Sequence, residues 1–141
     1  MKEPVIPQDD KARVKTLQCL NILDTQREER FDRIARLAAQ LFQCEFASIS
    51  FIDEKRQWFK SLVNLSLEQT TRETAFCAHT INHASTFIVP DTHQSETFKG
   101  NPFVINAPHI RFYAGTPIVV NGHRIGALCV FDSKPRTFSP Q

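Results

Sequence analysis

Three features of the chain predict an α+β fold in which helices lie on a central, mostly antiparallel sheet. Two segments with apolar residues at helical spacing come first, over 9–20 and 25–42. From Phe46 onward the period changes to short runs rich in β-branched and aromatic residues. The last third carries Asn121-Gly122 between two such runs, the dipeptide that suits a type I′ hairpin turn with positive φ at both central residues. Helices followed by consecutive strands define the α+β class. The 141 residues correspond to one domain, 1–141, long enough to bury a core without disulfide or metal staples. Within it we expect a flexible lead over 1–8, N-terminal helices over 9–42, a sheet with connecting loops over 46–132 and a tail over 133–141.

Taken in order, Pro4 and Pro7 break the lead, and Asp9 and Asp10 stand where a helix over 9–20 would be capped. Val14, Leu17 and Leu20 recur at helical spacing with basic residues between them, and 21–24 reads as a turn. Thr25-Gln26-Arg27-Glu28 fits a capping box, Thr25 bonding the amide three residues on and Glu28 reaching back. Phe31, Ile34, Ala35, Ala38, Leu41 and Phe42 then form one apolar stripe, with Arg30, Arg33, Arg36 and Gln40 on the solvated side. Strands are predicted over 46–52 and 57–63 around the polar turn 53–56, and 64–75 reads as loop. A short helix over 76–83 and a strand over 86–89, stopped by Pro90, come next. Residues 91–109 carry Gly100, Pro102 and Pro108 and are predicted to form a long loop with a short helix near 95–98. A hairpin over 110–120 and 124–132 closes the fold; Pro117 points to an edge or bulge, and Gly115 and Gly126 to bulges or close approaches.

Composition excludes several functions. Basic residues number 17 and acidic 15, a net charge of +2, with no Lys/Arg run of the kind used on nucleic acid, so no nucleic-acid partner is expected. No window approaches the roughly 18 apolar residues of a membrane span, and residues 1–11 lack the apolar core of a secretory signal. No membrane association and a cytoplasmic location are therefore expected. The four cysteines, Cys19, Cys44, Cys77 and Cys129, form no CxxC pair, so no zinc site is expected and reduced thiols are. Aromatic usage is lopsided, with 12 Phe against one Trp and one Tyr. No Gly-rich phosphate loop, HExxH or GxSxG is present, and which cofactor, if any, the chain uses is not identified by its sequence.

Over almost its full length the chain resembles the GAF domain family, and more narrowly the GAF modules at the N-terminus of bacterial sensor histidine kinases and diguanylate cyclases. The matching stretches are Leu20-Asn21-Ile22-Leu23-Asp24-Thr25 with Glu28-Glu29-Arg30-Phe31-Asp32, Arg56-Gln57-Trp58-Phe59-Lys60-Ser61, and Phe76-Cys77-Ala78-His79. Further on come Val89-Pro90-Asp91, Phe98 with Asn101-Pro102, the run from Pro108 to Gly115, and Gly126-Ala127-Leu128-Cys129-Val130, ending with Pro135-Arg136 before Phe138-Ser139. The resemblance implies six antiparallel strands, helices on one face and a ligand-sized hollow under a long loop on the other. It also implies a non-catalytic sensor of cyclic di-GMP or two-component signalling. Such a module would bind a small molecule or sense redox state, form a homodimer through its helices and pass the signal to an effector kinase or cyclase domain. Family members continue past the closing Phe-Ser with a helix into the effector, whereas this sequence ends at Gln141; a fragment and a free-standing receiver both fit. The Asn-Lys…Phe…Asp-Glu motif of the cyclic-nucleotide-binding branch is not matched, and Ala78 separates Cys77 from the His that bilin-binding members place directly after their Cys.

The candidate ligand-binding residues are Trp58, Lys60, Cys77, His79, Asp91, Phe98, Arg111 and Tyr113. Cys77 opens a predicted helix, whose macrodipole favours thiolate, and His79 is a charge partner two residues on. A redox thiol, a cofactor anchor, a metal ligand and a plain buried thiol all stand as readings. Alternation puts Arg111 and Tyr113 on one face, a cation and a hydroxyl suited to a polar or anionic ligand. The alternative is an Arg paired to Asp91 or Asp53 that holds the loop. Phe98 with Asn101-Pro102 is read as a lid or as ordinary loop packing, and Trp58 with Lys60 as a stacking pair or as core with a snorkelling Lys. Two other functions remain open: a thiol-dependent reductase of free methionine sulfoxide, with Cys77 attacking and Cys129 or Cys44 resolving, and a pure dimerisation module whose hollow is filled by Phe.

Overall fold

The computed structural model describes residues 1–137, so Phe138-Ser139 and the end of the predicted tail lie outside the described residues. Two helices, α1 (Asp10–Cys19) and α2 (Glu29–Phe42), precede β1 (Phe46–Ile52), β2 (Arg56–Val63) and β3 (Gln69–Thr71). After them come α3 (Cys77–Thr80), β4 (Phe87–Val89), a 3-10 turn (Thr92–Gln94), α4 (Pro102–Ile105), β5 (Phe112–Val120) and β6 (His123–Asp132). The six strands form one sheet in the order β3-β2-β1-β6-β5-β4, with every pairing antiparallel.

All seven residues of β1 are buried, because the strand is paired on both edges and covered on both faces. Ala47, Ile49 and Phe51 join the two clusters beneath α1 and α2, while Phe46 and Ile52 join the larger cluster that contains α3 and the 91–109 loop. α2 approaches closely because its inward positions are Ala35 and Ala39, which pack on Ala47, Phe112 and Val130. The sequence stripe is therefore only half right. Ile34 and Leu41 point away from the sheet and join Leu37 in an exposed strip, at 47%, 69% and 54% exposure.

The predicted capping box is not formed. α2 begins at Glu29 with no side-chain cap, and Thr25 and Glu28 are instead taken by Lys60. Nor do Asp9 and Asp10 cap α1: Asp9 bonds His123 at 2.7 Å, and Asp10 lies between two arginines. Arg13, which reads as a solvent-facing basic residue, is 1% exposed. Its guanidinium donates to Asp10 (2.9 Å) and to the Ile52 carbonyl (2.5 Å), while Arg72 donates to both Asp10 oxygens and to the Asp53 and Glu54 carbonyls. Burial pushes the Asp10 carboxyl up, but hydrogen bonds from Arg72 and Arg13 outweigh it and hold the group below the usual carboxylate range. One carboxylate thus ties α1 to the β1–β2 hairpin.

Two loop assignments are corrected. β3 lies within the stretch predicted as loop; it is three residues long and polar, too short for a periodic signal. The short helix expected near 95–98 is replaced by the 3-10 turn at Thr92–Gln94 and by α4. α4 starts where Asn101 caps the Phe103 amide at 2.8 Å and Pro102 occupies the first turn, a start signal legible in Asn101-Pro102. The hairpin turn is as expected, with φ of +52° at Asn121 and +78° at Gly122. Pro117 lies beyond the reach of β4, which pairs only with 113–115, so its missing N–H costs the sheet nothing there. Residues 1–7 have no regular structure but are tied at Lys2 to the Thr97 carbonyl and at Val5 to Asn82.

Replacing Asp10 by Ala should leave two buried guanidinium groups uncompensated, a loss of ~3–5 kcal/mol for a broken buried ion pair. Urea unfolding of Asp10→Ala should show this as a much lower midpoint; a loss under about 1 kcal/mol would mean that α1 is held by other contacts.

Candidate functional site

The face opposite α1 and α2 carries a small, mostly apolar hollow of about 50 Å³. β1, β2 and β6 supply its floor through Ser48, Gln57, Phe59 and Cys129; Phe103 and Pro108 of the 91–109 loop, with Ile110 just after it, roof it. Since a buried water needs roughly 10–15 Å³ by this measure, the hollow has room for about three to five water-sized groups. The many phenylalanines explain the tight fit. Phe76 stacks on Phe98 at 4.4 Å between ring centres, Phe46 on Phe131 at 5.1 Å, and Phe76 leans on Tyr113 at 5.1 Å. Gln57 brings the one discordant group: its carbonyl oxygen is buried and has no hydrogen-bond partner.

A line of polar atoms runs from the edge of this hollow into the core. The Thr80 and Tyr113 hydroxyls are 2.7 Å apart, Tyr113 donates to Cys77 Sγ at 3.2 Å, the Cys77 and Cys129 sulfurs are 3.9 Å apart, and Ser48 Oγ lies 2.8 Å from Cys129 Sγ. Gly115 leaves the space for this arrangement; a Cβ there would sit 2.2 Å from the Tyr113 hydroxyl and 2.9 Å from Thr80 Oγ1. Hydrogen bonding with Cys129, and then with Ser50 and Tyr113, pulls the Cys77 thiol below its ordinary range against the opposing effect of burial. Burial pushes Cys129 and Tyr113 well up. The helix macrodipole contributes little, since α3 is a single turn of four residues.

Of the eight sequence candidates, the structure brings only Cys77 and Tyr113 to the hollow. Trp58 and Lys60 share a strand face as expected, but that face is covered by the helices. A bulge in β2 pairs Ile49 with Ser61 and Ser50 with Phe59, leaving Lys60 unpaired. Trp58 packs in the cluster beneath α1, and Lys60 donates to Thr25 Oγ1 at 2.8 Å and the Gln26 carbonyl at 2.6 Å while pairing with Glu28. Arg111 precedes β5, so strand alternation does not reach it. Its fork closes on Asp91 at 3.0 and 3.1 Å and fastens the start of the loop. His79, Asp91 and Phe98 border a separate open groove beside β4. Burial, with the positive charge of His83 adding to it, lowers His79 to about 4, and its ring meets Phe98 edge-on at 4.7 Å.

Sequence reasoning missed Gln57 and Ser48 as lining residues, and it read Cys129 chiefly as core. Alternation from Tyr113 through its register partner Phe131 places Cys129 on the hollow side, a signal present in the β5–β6 hairpin. Among the described residues no cluster of three or more His, Cys, Asp or Glu is arranged to hold a metal ion, and no helix is long and apolar enough to cross a membrane.

The family profile described as "GAF domain" matches residues 26–141. The chain is 38% identical over 137 residues to a cyclic di-GMP phosphodiesterase of Pseudomonas aeruginosa; the match covers 96% of this chain and 23% of that protein, so the chain spans about a quarter of its relative's length. Similar solved structures include a domain of a two-component sensor histidine kinase from Sinorhizobium meliloti (TM-score 0.61, 18% identity, 82% of this chain and 79% of that one). A GAF domain of a phosphoenolpyruvate-protein phosphotransferase from Coxiella burnetii is also similar (TM-score 0.64, 10% identity, 92% and 80%). So is a free methionine-R-sulfoxide reductase from Neisseria meningitidis (TM-score 0.62, 14% identity, 99% and 85%). At these identities the likeness to the solved structures is one of fold alone.

The low His79 value has a pH consequence. As pH falls below the ordinary 6.5, the unfolded chain takes up this proton first, while the folded chain resists until about 4. Stability from this group is therefore full at pH 7.5 and declines between about 6.5 and 4. The drop in urea midpoint from pH 7.5 to 5.0 should shrink in His79→Leu; an unchanged drop would show that His79 does not govern it.

Proposed function

The chain belongs to the GAF domain family, and from that premise we propose that it is a non-catalytic regulatory module of bacterial, cytoplasmic signal transduction. Its hollow takes a small molecule, its N-terminal helices pair with those of a second copy, and an effector reads the change. The relative from Pseudomonas aeruginosa makes a cyclic di-GMP enzyme the favoured effector over a two-component kinase, although the chain matches only 23% of that protein.

The observation that carries this reading is the path from hollow to helices. Gln57 borders the hollow and lies next to Arg56 at the start of β2, opposite Ile52 at the end of β1. The Ile52 carbonyl is gripped by Arg13 of α1, and the turn carbonyls of Asp53 and Glu54 by Arg72, both arginines being joined through Asp10. A ligand that satisfies the Gln57 oxygen and shifts the β1–β2 hairpin therefore shifts α1 without crossing soft structure. Only the ligand's differential affinity for the two arrangements moves the equilibrium. The hollow's size and its buried acceptor favour a compact neutral molecule with a hydroxyl or N–H donor.

Thermal-shift measurements with small hydroxylated and amide metabolites test the binding. At tenfold excess over Kd, stabilisation of roughly 1.4 kcal/mol should raise Tm by a few degrees, and Gln57→Leu should abolish the rise. Cyclic nucleotides should give none. No shift with any compound at millimolar concentration would end the ligand reading.

The strip of Ile34, Leu37 and Leu41 supports helix pairing, since three large apolar side chains at i, i+3 and i+7 are exposed on one side of α2. Sedimentation should find a dimer for the native chain and a monomer for Leu37→Glu/Leu41→Glu, with thermal stability little changed because both positions are exposed. A native chain that stays monomeric at high micromolar concentration would remove the pairing from this scheme.

A further inference from the structure

We propose that Cys77 and Cys129 form a thiol pair oxidised to a disulfide by hydrogen peroxide or a hydroperoxide of similar size, with Cys77 attacking and Cys129 resolving. The two sulfurs come from different elements, α3 and β6, lie 3.9 Å apart and are 52 residues distant in sequence. Both cysteines line the hollow although they are only 2% and 3% exposed, so the hollow is the entry through which a small oxidant meets them. Closing 3.9 Å to the about 2.05 Å of an S–S bond takes a shift of roughly 1.9 Å, shared between two short side chains. A buried cysteine in an apolar wall is ordinarily inert. This one differs because its sulfur accepts a hydrogen bond from Tyr113, whose own hydroxyl is positioned by Thr80 and by the missing side chain of Gly115.

The roles follow from what surrounds each sulfur. Tyr113 donates to Cys77 and so favours its thiolate, while burial holds the proton on Cys129. The Cys77 thiolate attacks one peroxide oxygen; the S–O bond forms, the O–O bond breaks, and the departing hydroxide takes up the proton that Cys77 gave up, leaving as water. Cys77 is now a sulfenic acid. The Cys129 sulfur attacks it, the S–S bond forms, the S–O bond breaks, and the hydroxide released takes the Cys129 proton as a second water. Two thiols and one peroxide give one disulfide and two waters, with two electrons passing from sulfur to oxygen. The oxidant class follows from room: about 50 Å³ favours compact hydrogen peroxide over branched hydroperoxides. The unpartnered Gln57 oxygen is an acceptor for the peroxide O–H. The bond would pin the single-turn α3 to β6 and cost the Tyr113 hydroxyl its thiolate acceptor. The proposal deepens the regulatory reading and rests on it only for its output.

The test uses the reduced chain in a Cys19→Ser background, since Cys19 is exposed, dosed with one to ten equivalents of hydrogen peroxide. The intact mass should fall by two hydrogens, and peptide mapping should place a dithiothreitol-reversible crosslink between Cys77 and Cys129. In Cys129→Ala, Cys77 should stop at a sulfenic acid captured by dimedone, and in Cys77→Ala no adduct should form at Cys129. Tyr113→Phe should slow crosslinking at least tenfold, and tert-butyl hydroperoxide should be at least tenfold slower than hydrogen peroxide once both are scaled to glutathione. A crosslink only to Cys44, or oxidation of the native chain no faster than of the urea-unfolded chain, would overturn the proposal. Mapping on the native chain decides this even where an Ala variant fails to fold. A chain that binds a metabolite but does not crosslink overturns the thiol proposal alone; one that crosslinks but binds nothing overturns the ligand reading alone.

Discussion

β1 is hydrogen-bonded along both edges and packed on both faces, and most of the architecture answers to that constraint. A strand so enclosed contributes alternate residues to two separate cores, so Ala47, Ile49 and Phe51 fill one side while Phe46, Ser48, Ser50 and Ile52 face the other. On the side under the helices, α2 approaches closely because Ala35 and Ala39 meet Ala47, while the part under α1 holds the larger Ile49, Phe51 and Trp58. The opposite side is covered by aromatic rings and a loop, and there the small Ser48 of β1 borders space left unfilled. The hollow is thus a by-product of how one central strand divides its volume between two layers.

Much of this was legible beforehand. The change of period at Phe46, the polar turn before β2 and the Asn121-Gly122 hairpin all depend on local pattern, and local pattern is what a sequence displays. The capping failures have a common cause: long-range charge pairing overrode local capping preference. Thr25 and Glu28 have the right spacing to cap a helix, but a buried Lys60 recruits both. Asp10 is drawn to Arg13 and Arg72, the latter 62 residues away, and no local rule anticipates that. Arg111 was legible in only one of its two readings, and the tie to Asp91 prevails.

The candidate site was less legible than the fold. Cys77 and Tyr113 stood out in sequence, but their partners did not. Cys129 looks like core because it is core, and its significance lies in a 3.9 Å approach made by a one-turn helix. Gln57 looks like one polar residue in an alternating strand, and only the closed roof shows that its oxygen is left without a partner. Burial on a shared face is predictable from parity, whereas complementarity across a cavity depends on the loop that seals it.

The unpaired Lys60 in β2 carries a wider consequence. Before the bulge, even-numbered residues face the helices; after it, odd-numbered residues do, so the strand reverses its parity partway along. A homologous chain lacking that single extra residue would keep one parity throughout, and either Gln57 and Phe59 or Leu62 would change sides. Sequence alignments that open a gap near position 60 would therefore transfer the wrong side chains into the hollow, so lining residues should be matched across relatives by strand register, not by column.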